Sequence, residues 1–392
     1  MRILTICYEY PPVGGGGGVV CQGVAQALVG AGHEVHVVTS GMRDLPACAE
    51  DRGVKIHRVP CVRRVRFHAT AAELATQILP SYQKALALAR REPFDLIHCH
   101  FVIPSGVVAW LLHRRTGLPY VLTAHGSDVP GYNPERFELM HHFLAPFWRR
   151  IIEASAAITA PSRFLQELIG RKIDVPVDVI PNSFEAPPAP DLPRRDRILV
   201  VTRMVERKGV QHLIQAMAGL ETRFELCIAG DGPYLPTVRQ MAQDLGVPAT
   251  FLGFVGRDQL PALYRSAKIF VFPSMQENFP MVLLEAMSAG CAVVTSTVPG
   301  CAEVAGDAAL LVEPGDVAGL RRALARLLAD EETMALFGRK SLQQAARFAP
   351  ERILRQYEAL FRRAVGSTGR ELPLPVAQPQ ESEARGRRLP AA

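Results

Sequence analysis

Short apolar runs alternate with helical segments along most of the chain, and this alternation restricts the fold more than any other feature of the sequence. It is typical of βαβ units, whose parallel strands are buried between layers of helices. The predicted strands of the first half are Arg2–Cys7, Glu34–Val38, Leu96–His98, Tyr120–Leu122, Ala157–Thr159 and Val177–Ile180. Those of the second half are Arg197–Val201, Phe224–Ala229, Ala249–Leu252, Ile269–Phe272, Ala292–Thr295 and Ala309–Val312. The sequence therefore predicts an α/β protein with two Rossmann-like parallel-sheet domains that face each other across a cleft.

The proline-rich segment 186–196 separates the two repeats of this pattern. Because clustered prolines resist packing into either neighbour, we predict a linker here, between a first domain over 1–185 and a second over 197–349. A final helix is predicted over 350–365 and is expected to cross back to the first domain. Residues 366–392 are poor in apolar side chains, which is typical of a disordered tail.

Composition excludes several classes of protein. The 392 residues, 48% of them hydrophobic, are enough for two domains with separate cores. The net charge of +6 is divided evenly between the halves of the chain, so it does not form the clustered basic face that nucleic-acid binding needs. The eight cysteines include no Cys-x-x-Cys pair, which indicates buried thiols in a reducing compartment. With no signal peptide and no membrane-spanning run, we expect a cytoplasmic protein that could touch the inner face of a membrane peripherally.

Five consecutive glycines, Gly14–Gly18, lie between the first strand and a helix predicted at Val19–Gly30. Ligands of open α/β sheets bind at the carboxyl ends of the strands, where backbone N–H groups at a helix start attract phosphate. The segment matches neither the dinucleotide fingerprint G-x-G-x-x-G nor a P-loop. Five glycines cost folding entropy, so we expect a close approach of backbone and ligand, with a merely flexible loop as the alternative.

Two cations follow the first strand of the second domain. Arg203 lies just past the strand and Lys208 near the start of the next helix. Charge-assisted hydrogen bonds from such a pair suit a diphosphate leaving group, because they stabilise the negative charge that develops as the bond breaks. A solvated charged loop is the alternative.

The segment 273–290 contains two acids with contrasting surroundings. Glu277 lies in a loop after a predicted strand, whereas Glu285 lies among apolar residues of a predicted helix. An ionised carboxylate in that position needs a partner, and a ribose diol offers two hydroxyl donors. An exposed helical glutamate, the alternative, fits so apolar a helix poorly.

Together these motifs resemble those of a retaining glycosyltransferase of the GT-B fold, in the large family 4 (glycosyl transferases group 1). The resemblance covers roughly residues 1–365. The matching motifs are the opening Tyr10–Gly15, the R-x4-K pair Arg203 and Lys208, the G-x-G-P turn Gly230–Pro233, and the E-x7-E pair Glu277 and Glu285.

The resemblance implies transfer of a hexose-type sugar from a nucleotide-diphosphate sugar, the co-substrate, with no metal and no further cofactor. It implies that Arg203 and Lys208 hold the diphosphate, that His125 and Glu277 contact the donor sugar, and that Glu285 binds the ribose. The other implied donor-binding residues are Gly15, Gly16, Gly17, Val255, Asn278, Phe279, Met281 and Val282. The acceptor would be a glycan, a lipid-linked sugar or a small molecule, and would contact first-domain loops such as 41–75 and 126–145.

Two further features bear on this reading. Pro280 follows Phe279 where the family often has glycine, and proline removes one backbone donor from the predicted sugar site. The run His98-Cys99-His100 lacks a third ligand nearby, so we predict no zinc site there.

Segments 63–68 and 141–150 mix basic and aromatic residues and could meet anionic lipid or a phosphorylated acceptor. A solvated face with a core-packed Phe147–Trp148 stripe is favoured over that reading. Two other functions stay open. One is a sugar-nucleotide epimerase of the same fold, and the other is a non-catalytic nucleotide-binding scaffold.

Overall fold

A computed structural model describes residues 1–66, 69–132, 145–187 and 193–367. The strands of the first half are β1 (Arg2–Ile6), β2 (Glu34–Ser40), β3 (Cys48–Asp51), β4 (Val54–Val59), β5 (Leu96–His100), β6 (Tyr120–Thr123), β7 (Ala157–Ala160) and β8 (Val177–Val179). Its helices are α1 (Gly16–Gly30), α2 (Ala71–Thr76), α3 (Ile78–Arg91), α4 (Ser105–Thr116), α5 (145–153) and α6 (Arg163–Gly170).

The second half repeats the alternation. Its strands are β9 (Arg195–Val201), β10 (Glu225–Ala229), β11 (Ala249–Gly253), β12 (Ala267–Phe272), β13 (Ala292–Ser296) and β14 (Ala309–Val312). Its helices are α7 (Val210–Met217), α8 (Leu235–Asp244), α9 (Leu260–Ser266), α10 (Met281–Ser288), α11 (Pro299–Ala305), α12 (Val317–Ala329), α13 (Glu331–Ala345) and α14 (Pro350–Gly366). Short 3-10 turns lie at Glu206–Lys208 and Ala346–Phe348.

Each half forms one sheet. The first has the order β3-β4-β2-β1-β5-β6-β7-β8, in which β3 alone of the described strands runs antiparallel to its neighbour, and the second has the parallel order β11-β10-β9-β12-β13-β14. In both sheets the first parallel strand of the repeat, β1 or β9, lies at the point where the strand order reverses direction. The loops after β1 and β9 therefore occupy the position at which open α/β sheets bind ligands. The predicted fold class, two Rossmann-like parallel-sheet domains, is confirmed.

The last helix belongs to the core of the first sheet although it ends the described chain. Its residues Ile353, Tyr357 and Phe361 are buried in one cluster with Ile3 and Leu96 of β1 and β5. Helix α14 also lies against α1. The second sheet is likewise packed on both faces by apolar clusters.

Several predicted boundaries differ from those observed. The segment 41–75 was expected as a loop but contains β3, β4 and the start of α2. In β4 the buried Val54, Ile56 and Val59 are separated by exposed or half-buried residues, so the strand has no continuous apolar run in the sequence. Strand β9 begins at Arg195, inside the predicted linker.

Some predictions fall on chain that the structure does not describe. Residues 188–192 of the predicted linker and 368–392 of the predicted tail lie outside the described residues, as do 67–68 and 133–144. In the basic–aromatic segment 141–150, Trp148 is buried as favoured, but Phe147 is 49% exposed. No helix among the described residues is both long and apolar enough to span a bilayer.

Candidate functional site

The loop after β12 is held against the turn that carries Lys208. The Met275 N–H donates to the carbonyl of Arg207 (2.8 Å). Gly209, with φ +72°, lets this turn approach closely, since a Cβ there would lie 2.0 Å from the carbonyl oxygen of Pro273. Only glycine fits that contact without a shift of backbone. The sequence separates Lys208 and the loop by some 65 residues, but packing of the two backbones brings them together.

Lys208 and Glu277 form an ion pair in this loop. The Lys208 ammonium donates to Glu277 Oε1, which also accepts a hydrogen bond from Ser274 Oγ (2.7 Å). Both side chains are about nine-tenths buried, with 11% and 12% of their surface exposed. The ammonium also lies over the ring of Phe272, 5.3 Å from its centroid. The predicted phosphate-binding cation and the predicted sugar-binding acid therefore neutralise each other when no ligand is bound.

Asn278 joins the two domains. Its Nδ2 donates to the backbone carbonyl of His125 (3.1 Å), and its Oδ1 accepts from Ser162 Oγ (2.5 Å). Ser162 Oγ in turn accepts from the Leu165 N–H and so caps α6. The Asn278 side chain is buried, and its amide nitrogen and amide oxygen are each hydrogen-bonded within the protein. This bridge places His125 of the first domain beside the Glu277 loop of the second.

The backbone around His125 is fixed by Asp128, a residue that sequence reasoning did not assign a role. Asp128 Oδ1 accepts from the N–H groups of His125 and Gly126 (both 2.9 Å), and Oδ2 accepts from the Val102 N–H (2.8 Å). Burial raises the pKa of this carboxyl. A signal was present in the sequence: an acid three residues after a histidine at a strand end is placed to bond the N–H groups of a tight turn.

Arg203 is exposed on the loop that follows β9, at the same end of the sheet as Lys208. The G-x-G-P turn supports this loop, because the Met204 N–H donates to the Asp231 carbonyl and the Tyr234 N–H donates to that of Met204 (both 2.9 Å). Val255, predicted to flank the base, follows β11 and borders a cavity of about 470 Å³ lined also by Phe254 and Gln259. The cavity extends along α9 to the start of β9.

Glu285 has a protein partner that the sequence did not reveal. The Tyr264 hydroxyl donates to its Oε2 (2.6 Å), so the apolar helix already contains one donor for the carboxylate. Burial raises the pKa of Glu285, although the Tyr264 hydrogen bond opposes that shift. The acid therefore has a protein partner besides the ribose diol that the sequence suggested, and Tyr264 engages only one of its two oxygens.

The remaining predicted residues of this loop divide into backbone and core positions. Phe279 is buried, and its ring packs edge-on against Phe348 (5.6 Å between centroids), so its side chain is a core residue. Any donor contact at Phe279 must come from its backbone. Pro280 precedes α10, and Met281 and Val282 form its first turn, where N–H groups have no partner within the helix.

The glycine segment begins a helix earlier than predicted. Helix α1 starts at Gly16 with Gly15 as its N-cap, so Gly16 and Gly17 are helical rather than part of a loop. The Glu9 carboxylate occupies this helix start, accepting from the Gly15 N–H (2.8 Å). A Cβ at Gly17 would lie 2.2 Å from the Phe101 ring, whereas one at Gly16 would meet no atom within 4 Å. Gly16 is thus the glycine whose Cβ position is open.

The structure describes one group of potential metal ligands, and it is remote from these residues. Glu34, His36 and Glu92 bring ligand atoms within 4.8 Å of one another among the described residues. Glu34 is already paired with Arg2 and Lys55, both at 2.6 Å. Because Glu34 begins β2, this group lies at the opposite end of the sheet from the glycine segment.

Together the two facing sheets and the polar groups at their carboxyl ends define a two-domain protein of the GT-B class, with its candidate site between the domains. Two family profiles match the chain: "Glycosyltransferase Family 4" over residues 14–186 and "Glycosyl transferases group 1" over residues 185–344. The chain belongs to this glycosyltransferase family and is a glycosyltransferase.

Known proteins agree with this assignment. The chain is 32% identical over 335 residues to an uncharacterised glycosyltransferase of Methanocaldococcus jannaschii, which covers 78% of this chain and 82% of that protein. Among solved structures, sucrose-phosphate synthase from Thermosynechococcus elongatus superposes with a TM-score of 0.78 at 23% identity, over 94% of this chain and all of that one. Anabaena HepE in complex with UDP and glucose superposes with a TM-score of 0.73 at 20% identity, over 92% and 98% of the two chains.

Proposed function

We propose that this glycosyltransferase moves a hexose-type sugar from a nucleoside diphosphate sugar to an acceptor hydroxyl, with retention of configuration at the anomeric carbon. One observation carries the proposal: Lys208, Glu277 and His125, from two domains, come together at the facing carboxyl ends of the sheets. A nucleotide donor is supported by the fold neighbour HepE, whose structure holds UDP and glucose.

In the proposed complex the donor diphosphate replaces Glu277 as the partner of Lys208. Arg203 contributes a second charge, and the N–H groups at the start of α10 face the same anion, as helix N-termini do. Glu277, released from Lys208, accepts hydrogen bonds from the sugar hydroxyls. Glu285 keeps its bond to Tyr264 and binds the ribose through its second oxygen.

The transfer step needs no covalent intermediate on the protein in this proposal. The bond from the anomeric carbon to the phosphate oxygen breaks as the acceptor oxygen bonds that carbon on the same face. The departing diphosphate takes the acceptor's proton. Arg203 and Lys208 stabilise the charge that develops on the diphosphate, and removal of one such electrostatic donor costs about 10²–10³ in rate. Since these cations do the work of a metal ion, we propose a metal-independent reaction.

The donor can be identified by thermal shift with a panel of UDP-, GDP- and ADP-sugars, because ligand at about 100 times Kd stabilises by roughly 2.7 kcal/mol. Transfer is then measured with and without EDTA. Loss of activity on chelation, restored by magnesium or manganese, would overturn the metal-independent reaction. Conversion of the donor without any acceptor would indicate an epimerase instead.

Four variants separate the proposed roles. Arg203→Ala and Lys208→Ala should each lower turnover about 10²–10³-fold, while Arg239→Ala, an exposed arginine of α8, serves as the control. Glu285→Gln should weaken donor and free nucleoside diphosphate alike. Glu277→Gln should retain or strengthen nucleoside diphosphate affinity, because it frees Lys208 for the diphosphate, while turnover collapses because the proposed partner of Glu277 is the sugar. Equal loss of nucleotide affinity in the two glutamate variants would contradict this division of roles.

A further inference from the structure

His100 ends β5, directly below the candidate site, and its side chain is fully buried. Its Nδ1 lies 3.0 Å from Nε2 of His125, within hydrogen-bond distance, and the two rings are nearly parallel, with 19° between their planes. Nε2 of His100 is buried and has no hydrogen-bond partner among the described residues. The bond to His125 is therefore the one hydrogen bond that this side chain makes in the described part of the chain.

His125 is held at its backbone N–H, its backbone carbonyl and its ring Nε2. Its N–H donates to Asp128 (2.9 Å), its carbonyl accepts from Asn278 (3.1 Å), and its Nε2 is engaged by His100. The ring of Phe101 packs against the imidazole, with 4.3 Å between centroids. Nδ1 of His125 has no partner within the described chain. The described residues thus fix the backbone and one ring nitrogen of His125 and leave its Nδ1 without a protein partner among them.

We propose that His100 is a positioning residue, which holds the ring of His125 so that Nδ1 is presented to the donor sugar. The inference rests on the proposed function, because the donor sugar is the ligand that the freed nitrogen would meet. Without the bond from His100, the imidazole would keep its backbone contacts but could rotate about its side-chain torsions. A sugar hydroxyl would then meet Nδ1 in only part of the population.

The same bond links the tautomers of the two rings. Burial lowers the pKa of His125 to about 3 and that of His100 well below its usual range, so both imidazoles are neutral and each carries one N–H. A bond between two neutral imidazoles needs one donor and one acceptor. If His100 donates from Nδ1, the proton of His125 is on Nδ1 as well. If His125 donates from Nε2, both rings carry the proton on Nε2. The two rings must therefore be in matching tautomers.

Two substitutions at His100 distinguish positioning from mere filling of the core. In His100→Asn the side-chain amide falls near the place of Nδ1 and can donate to or accept from His125. In His100→Gln the amide falls near the place of Nε2, which has no partner. We expect His100→Asn to keep kcat within about threefold and His100→Gln to lower it about 10- to 100-fold, since small misplacements of reacting groups can cost that much. Nucleoside diphosphate affinity should change less than threefold in both.

His98→Asn is the matched control. His98 lies on the same strand and the same side of the sheet and is equally buried, but its Nε2 bonds Thr123 Oγ1 (3.0 Å) instead of His125. This variant should lose stability in denaturant unfolding yet keep kcat within about threefold per folded molecule. If His98→Asn lowers kcat as much as His100→Gln, or if His100→Gln retains full kcat, His100 is only a core residue and the proposal is wrong.

Nitrogen NMR of the histidine rings tests the bond without any assay of activity. In the wild-type protein we expect His100 and His125 in matching tautomers, and in His100→Gln a changed tautomer ratio for His125. Opposite tautomers in the wild type, or an unchanged His125 spectrum in His100→Gln, would overturn the proposal. Absence of transfer from every donor in the panel would instead contradict the proposed function, and the NMR result would still decide whether His100 holds His125.

Discussion

The Lys208–Glu277 ion pair gives the sharpest test of the site in the absence of ligand. Glu277→Gln removes the negative charge but keeps an oxygen that can accept from Ser274. The Lys208 ammonium is then left nine-tenths buried over the Phe272 ring. The substitution therefore isolates the charge of Glu277 from its shape and from its neutral hydrogen bond.

The expected loss of stability follows from this burial. Removing one partner of a fully buried ion pair costs about 3–5 kcal/mol, and a hydrogen bond to a charged group contributes about 1.5–3 kcal/mol. Because about one tenth of each side chain is exposed, water can reach the ammonium and reduce the cost. We expect Glu277→Gln to lower the free energy of unfolding by about 2–3 kcal/mol. The Lys208→Met, Glu277→Gln double variant should recover at least about 1 kcal/mol relative to additivity.

Urea unfolding of the ligand-free wild type, both single variants and the double variant measures this coupling. Glu331→Gln is the control, because Glu331 pairs with Arg223 at 2.7 Å in the same domain but the two side chains are 70% and 66% exposed, and exposed pairs contribute about 0–1 kcal/mol. A loss in Glu277→Gln no larger than in Glu331→Gln, or a coupling below about 0.5 kcal/mol, would refute the reasoning.

Gly16→Ala should leave the fold intact or stabilise it by about 0.5–1 kcal/mol, yet weaken donor binding in calorimetry, whereas Gly17→Ala should destabilise by about 1–3 kcal/mol because its Cβ would meet Phe101. Glu285→Gln should be at least as stable as wild type in urea at pH 7. Burial raises the pKa of Glu285, so the stability that its protonated form contributes is lost as pH rises through the folded-state pKa. Nucleoside diphosphate affinity of this variant should fall about tenfold. Burial lowers the pKa of His98 from 6.5 to about 3, so the contribution of neutral His98 to the free energy of unfolding is present above pH 6.5 and lost as pH falls. In urea unfolding, His98→Gln should reduce the change of this free energy with pH between pH 6 and 4 by up to about 1.4 kcal/mol per pH unit.

Sequence patterns located most of the secondary structure and missed what lacks a strong apolar signal. Apart from β3 and β4, the strands of both sheets were predicted to within a few residues, because parallel strands packed on both faces are continuous apolar runs. In β4 the buried Val54, Ile56 and Val59 are interrupted by exposed or half-buried residues, so this strand was missed. Strand β3 (Cys48–Asp51) carries no such run and has exposed positions, so nothing in its sequence separated it from a loop. Helix α1 begins at Gly16 despite the low helix propensity of glycine. The Glu9 carboxylate accepts from the Gly15 N–H at this helix start, and the Phe101 ring leaves no room for a side chain at Gly17.

By itself the sequence determined two parallel-sheet repeats and which polar residues follow their strands. These are local properties: periodicity gives the element, and the end of a strand gives the edge of the sheet. Only the tertiary structure decided the partners. Glu277 meets Lys208 69 positions away, and Asn278 reaches His125 153 positions away. Such pairs depend on how two sheets and their loops pack in three dimensions, which no local pattern encodes. The charged residues Lys208 and Glu277 could therefore be picked out from the sequence, but their ion pair could not.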